Sequence, residues 1–221
     1  MIEKAKTVIL KHYGDNHYHM VDINNAMAIY YFHISEYKKS KELFLANLDL
    51  AQKFYGNVHS RIATIYEYLS FISSRNGELN KSEEYLKATL EICLKIYGEK
   101  HPETIAVYDD LAHLFIMNGD IAKAEKMIRD SLNFKINLFG ENNLETANSY
   151  EKLGFLFLNQ GKYQEAIPLY EKSLNISLEC YGPNHPDTAK SYSTLGSAYS
   201  QIGKNEKALE CYKKSLRSEE R

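Results

Sequence analysis

GKYQEAIPLYEKSLNISLECYGPNHPDTAKSYSTLG, residues 161–196, holds two helical patterns joined by tight turns. Gly161 opens it with a residue able to take the left-handed conformation that ends a helix. Tyr163, Ala166, Ile167, Tyr170, Leu174 and Ser177 then recur at the spacing of one helix face. Tyr181-Gly182 closes that helix. His185-Pro186-Asp187-Thr188 starts the next: proline suits the first helical position, where its missing N–H has no partner to lose. The acid after it meets the positive end of the helix dipole. Upstream, Tyr150, Leu153, Gly154 and Phe157 stand at i, i+3, i+4 and i+7, the core stripe of a preceding helix.

The same signs recur along the chain on a 42-residue ruler. Tyr-Gly stands at Tyr13-Gly14, Tyr55-Gly56, Tyr97-Gly98 and Tyr181-Gly182, with Phe139-Gly140 in the remaining slot. Three residues after each glycine come His17, His59, His101, Asn143 and His185. A small-residue column runs Ala28, Ser70, Ala112, Gly154, Gly196, and a second runs Ser40, Ser82, Ala124, Ala166, Ala208. A loop column runs Gly77, Gly119, Gly161, Gly203, with Ser35 in the first repeat. Self-similarity at a fixed period of this length is the mark of a stacked repeat array, in which no hairpin buries its apolar face alone.

The period predicts first helices over 18–34, 60–76, 102–118, 144–160 and 186–202. Second helices are predicted over 36–54, 79–97, 120–138, 162–180 and 204–219. Residues 2–12 align with the end of a second helix, placing Ala5 and Val8 in packing columns. The organisation expected is a single repeat domain over 1–221: a partial helix at 2–12, then repeats at about 13–54, 55–96, 97–138, 139–180 and 181–221. The chain begins inside one repeat and stops where another Tyr-Gly would begin, a pattern that fits a piece cut from a longer array, with a natural short protein as the alternative. Pro168 inside a second helix removes one backbone bond and predicts a mild bend.

These columns resemble the tetratricopeptide repeat in its 42-residue form, typical of kinesin light chains and their relatives. Residues 161–196 and YGEKHPETIAVYDDLAHLFIMNGDIAKAE (97–125) carry the likeness most clearly. The resemblance implies an all-α fold, a right-handed superhelical solenoid of antiparallel helix pairs whose first helices line a concave groove. It implies a protein-interaction scaffold rather than an enzyme.

Composition agrees. Of 221 residues 44% are hydrophobic and 25% charged, with a net charge of −2. Nothing there calls for nucleic acid or an anionic membrane surface as partner. No stretch approaches the roughly 20 apolar residues of a spanning helix. The three cysteines, Cys93, Cys180 and Cys211, are odd in number and lack CxxC spacing, so inert buried or half-buried thiols in a cytoplasmic protein are expected. No Gly-rich phosphate loop, HExxH or GxSxG occurs, so no cofactor and no catalysis are expected. The column histidines stand a whole repeat or more apart, too far to converge on one metal ion, and read as helix starters. His12, His17 and His19 are denser and offer only a weak metal alternative.

In such arrays the groove-facing stripe of a first helix is offset from its core stripe. Here it yields an apolar strip of Ile29, Phe32, Phe71, Ile116, Phe155 and Leu158. Beside it run an acidic rail of Glu67, Asp109 and Glu151 and the polar residues Arg75, His113 and Asn159. The expected occupant is a peptide or helical segment with apolar anchors and a basic flank. Chaperone-tail relatives resemble one another in a carboxylate clamp whose Asn column holds Ile29, Phe71, His113, Phe155 and Ser197 here, which argues against an acidic C-terminal tail. Two alternatives stand beside this: a module that self-assembles through open repeat ends such as Leu209, Tyr212 and Leu216, and a peptide-sensing regulatory domain of a larger signalling protein.

Overall fold

The computed structural model describes residues 2–219, and among them every regular element is an α-helix. A short leading helix, α1 (Ile2–Tyr13), precedes helices that alternate as predicted. The first helices are α2 (Tyr18–His33), α4 (Ser60–Arg75), α6 (Pro102–Asn118), α8 (Leu144–Asn159) and α10 (Pro186–Gln201). The second helices are α3 (Tyr37–Tyr55), α5 (Leu79–Tyr97), α7 (Ile121–Phe139), α9 (Tyr163–Tyr181) and α11 (Asn205–Glu219). The predicted bounds hold to within a few residues.

The repeated motifs fold for repeated reasons. Each column histidine sits in extended backbone or directly before a helix, and its Nδ1 accepts the N–H two residues on. The pairs are His17 from His19 (3.3 Å), His59 from Arg61 (3.2 Å), His101 from Glu103 (3.3 Å) and His185 from Asp187 (3.2 Å). In the remaining slot Asn143 does the same through Oδ1, accepting from Glu145 at 2.9 Å. One orphan donor of each helix start is thereby satisfied. The Tyr of each Tyr-Gly stacks on its histidine, with ring centroids 4.6, 4.6, 4.4 and 4.0 Å apart for Tyr13–His17, Tyr55–His59, Tyr97–His101 and Tyr181–His185. Between them, Gly182 adopts φ 79° and ψ 175°, a region essentially closed to other residues, which accounts for the constant glycine after each second helix.

The chain divides after Leu114 into two compact units. In the first unit, α1 packs on α2, α2 on α3, α3 on α4 and α4 on α5. Its core holds Val21, Phe44, Ile62, Ile65, Leu69 and Ile72. In the second unit, α7 through α11 pack pairwise in chain order around Leu153, Leu156, Tyr170 and Ala198. Small columns set the helix approach: Ser40 Oγ donates to the Ala28 carbonyl at 2.8 Å, and Ser70 and Ser82 share a hydrogen bond at 2.8 Å.

A buried polar column runs Asn47, Thr89, Ser131, Ser173, Ser215, again every 42 residues. In the first repeat Asn47 Nδ2 donates to the Val21 carbonyl (3.0 Å) and Asn25 Oδ1 (2.7 Å), tying α3 to α2. Thr89 Oγ1 instead bonds locally, donating to the Tyr85 carbonyl, while Ser215 shares a 2.8 Å hydrogen bond with Ser193 and so ties α11 to α10. Helix α9 runs through the exposed Pro168 without interruption. Cys93 and Cys211 are buried as expected, whereas Cys180 is exposed. Its column, with Phe54, Ile96 and Leu138, faces outward near the end of each second helix. Val8 is 55% exposed and the Ala5 side chain lies outside the described residues, so α1 leaves its apolar side uncovered at Val8.

Candidate functional site

Each unit carries a cavity on the side formed by its first helices. In the first unit it measures about 380 Å³. Phe32 of α2, Phe71 of α4, Leu86 of α5 and Leu114 of α6 supply apolar surface, and Glu67, Glu103, Asp110 and His113 supply charge and polarity. Phe71 is 46% exposed, unusual for so large an apolar side chain. It is held at the edge of Phe32 at 5.0 Å, and Phe32 also meets Tyr68 at 4.9 Å. Phe32 thus both lines the cavity and packs one hairpin on the next. Arg75 spreads over Tyr37 (5.2 Å) and Phe71 (5.9 Å), contacts of cation–π type at the rim.

The electrostatics of this cavity centre on Glu67. Burial, reinforced by the Asp110 and Glu103 carboxylates, pushes its carboxyl up to about 7. The acidic wall is therefore Glu67, Glu103 and Asp110. Asp109, expected on the rail, is half-buried one residue away, since neighbours on a helix point about 100° apart. Ile29 is half-buried on α2, and neither it, Arg75 nor Asp109 lines the cavity.

The second unit's cavity measures about 530 Å³. Phe155, which is 48% exposed, and Leu158 form its apolar wall on α8, and Lys190, Ser193 and Ser197 face them from α10. Glu151 of α8 pairs with Lys190 at 3.3 Å across it. Tyr170 of α9 completes the lining. Ile116 is half-buried and Asn159 exposed, and neither contributes. A stripe on first helices alone misses Ser82, Leu86 and Tyr170, which come from second helices; Leu86 and Tyr170 occupy one column, 84 residues apart. No group of three or more His, Cys, Asp or Glu placed to hold a metal ion occurs among the described residues. His17, part of the denser histidine cluster, has its Nδ1 engaged in capping α2.

The tetratricopeptide repeat family model matches residues 61–137 and 138–220. The chain belongs to the tetratricopeptide repeat family. Members of the family are generally non-catalytic scaffolds whose repeats mediate protein–protein interactions. Among solved structures, BtubC (BKLC) from P. vanneervenii is 22% identical, with a TM-score of 0.80 over 98% of this chain and 86% of that one. A Podosopora anserina protein named for kinesin light chain and built of nearly identical TPR-like repeats is 20% identical, with a TM-score of 0.77 over 90% and 94%. YrrB, described as a TPR protein with an unusual peptide-binding site, is 14% identical, with a TM-score of 0.60 over 99% and 94%. At these identities the likeness is one of fold. No curated protein matches the chain in sequence. No helix of the described residues is long and apolar enough to cross a membrane.

Proposed function

We propose that this tetratricopeptide chain is a non-catalytic scaffold that holds a peptide or helical segment of a partner protein against its first helices. The observation that carries the reading is the first unit's cavity, where exposed Phe71 and half-buried Phe32 adjoin three carboxylates. Apolar surface left open beside one sign of charge favours an occupant with apolar anchors and a basic flank. The same negative wall repels phosphate, which disfavours nucleic acid. Glu151, Phe155 and Leu158 of the second unit extend the reading to that unit's own cavity.

The test uses a displayed library of random 12-residue peptides, selected on the intact chain. Selected peptides should pair an apolar residue with Lys or Arg. They should lose binding to Phe71→Ser or Phe155→Ser variants whose helical circular dichroism is unchanged. Equal binding to both variants sinks the groove.

A second reading, self-assembly, is favoured by the apolar face of α11, where Leu209 is 54% and Leu216 61% exposed. Light scattering across a concentration series decides it, a constant monomer mass ending the idea.

A further inference from the structure

Tyr170 is the one residue of the second unit's cavity that is both deeply buried and chemically unfinished. It is 2% exposed, and its hydroxyl has no hydrogen-bond partner. Two other tyrosine hydroxyls of this unit are satisfied: Tyr150 donates to Glu141 at 2.9 Å, and Tyr199 donates to Glu171. The corresponding position in the three preceding repeats holds Phe44, Leu86 and Ile128, none with a polar side-chain atom. Tyr212, the last of the column, is 38% exposed and so has access to water. At Tyr170 a phenylalanine would fill the same volume without the burden of an unpaired hydroxyl. The repeat fold therefore does not require this oxygen, which is carried by a side chain that lines a cavity whose neighbouring wall is the exposed ring of Phe155.

The surroundings narrow what can meet it. Burial and the Glu151 carboxylate both push the Tyr170 hydroxyl up, so it keeps its proton and is available as a donor. Its complement is an acceptor. Of the charged lining residues Glu151, Lys152 and Lys190, the carboxylate is the one whose charge acts on the hydroxyl, which disfavours an anionic acceptor there and leaves a neutral carbonyl unopposed. Phe155 and Leu158 ask for an apolar group next to that carbonyl. An extended peptide presents both together, a main-chain carbonyl beside a side chain.

We propose that Tyr170 donates a hydrogen bond to an amide carbonyl of a peptide bound in the second unit's cavity, with the adjoining apolar side chain on Phe155 and Leu158. This rests on the groove reading above and adds the recognition atom. The interaction fixes the peptide's register, because only a carbonyl at one position along the segment reaches the hydroxyl.

The probe is a 12-residue peptide chosen from the displayed library on the intact chain and kept only if Phe155→Ser abolishes its binding. On Tyr170→Phe its Kd should rise about tenfold, the loss expected for one hydrogen bond to a buried donor. Thermal stability of that variant should be unchanged or higher. Replacing the bonded amide of the peptide by an ester, a weaker acceptor, should weaken binding to the parent chain and not to Tyr170→Phe. Three results overturn the proposal: an unchanged Kd on Tyr170→Phe, an ester effect equal on both chains, or a structure of the complex with water alone on the hydroxyl. If no selected peptide responds to Phe155→Ser, the groove reading of this unit falls and the proposal with it. If peptides respond to Phe155→Ser and not to Tyr170→Phe, the groove stands and Tyr170 alone is dismissed.

Discussion

The ring of Tyr170 lies so close to Gly154 that a Cβ at Gly154 would stand 3.1 Å from its Cε1 and 3.2 Å from its Cζ. The sequence couples the two positions. Gly154 faces Tyr170 and Gly196 faces Tyr212, whereas Ala112, Ser70 and Ala28 accompany Ile128, Leu86 and Phe44. Glycine in a helix interior sacrifices about 0.5–1 kcal/mol relative to alanine, so its retention beside tyrosine points to the space. Gly154→Ala should therefore be neutral to destabilising by about 1 kcal/mol with Tyr170 in place. In a Tyr170→Ile background the same change should stabilise by about 0.5–1 kcal/mol, as the Ala112/Ile128 pair implies. Urea unfolding of the four chains of this double-mutant cycle measures the coupling, and additivity would break the argument.

Ser35 stands where the other repeats have Gly77, Gly119, Gly161 and Gly203, and it adopts the same left-handed backbone, φ 64°. The turn is held from both sides, with Glu36 N–H donating to the Tyr31 carbonyl at 2.9 Å just as Glu78 N–H does to Ser73 at 2.8 Å. An L-residue there carries a steric cost of about 1–2 kcal/mol, from which glycine's greater unfolded-state entropy subtracts. Ser35→Gly should stabilise the first unit by about 0.5–1 kcal/mol, read as a rise in its unfolding midpoint.

That example shows why the fold is legible in the sequence: turn, cap and small-residue positions are local requirements, and a fixed period repeats them until they cannot be missed. Even the substitutions Ser35 and Asn143 keep the backbone role of the column. The cavities are less legible. Phe71, Phe155 and Glu67 sit on the stripe expected for first helices, yet Tyr170 and Leu86 reach the cavities from second helices, and that depends on how closely the pair packs. Asp110 rather than Asp109 lines the wall, and with neighbours on a helix about 100° apart a stripe drawn one residue off picks the wrong carboxylate. The column from Asn47 to Ser215 follows the period too, but short polar residues on a core face carry no meaning until their hydrogen-bond partners are known.

The stacked histidine caps give a third prediction. His59 Nδ1 accepts the Arg61 N–H while its ring lies against Tyr55. His59→Ala removes the acceptor and should cost about 1 kcal/mol. His59→Asn keeps an acceptor, as Asn143 does at its own helix, and should recover most of that loss. Chemical denaturation of the two variants separates capping from ring stacking: equal losses for Ala and Asn would assign the stability to the stack.

Burial, with Asp110 and Glu103, raises the Glu67 carboxyl from 4.5 to about 7. The sign follows from linkage. Below about pH 4 the group is protonated in folded and unfolded chains alike and costs nothing. Between about 4.5 and 7 the unfolded chain gives up its proton first, so stability falls as pH rises, and above about 7 the full penalty remains. Glu67→Gln should thus match the parent at about pH 4 and exceed it at about pH 8 by on the order of 2 kcal/mol. Binding should run the other way. A Lys or Arg side chain entering the cavity stabilises the ionised carboxylate, so its affinity should grow as pH rises through about 7 and its binding should release a proton. Calorimetry of a selected basic peptide in two buffers of different ionisation enthalpy reads that proton directly. A buffer-independent enthalpy at about pH 6.5, together with equal affinity for Glu67→Gln, would mean that the charged flank binds elsewhere.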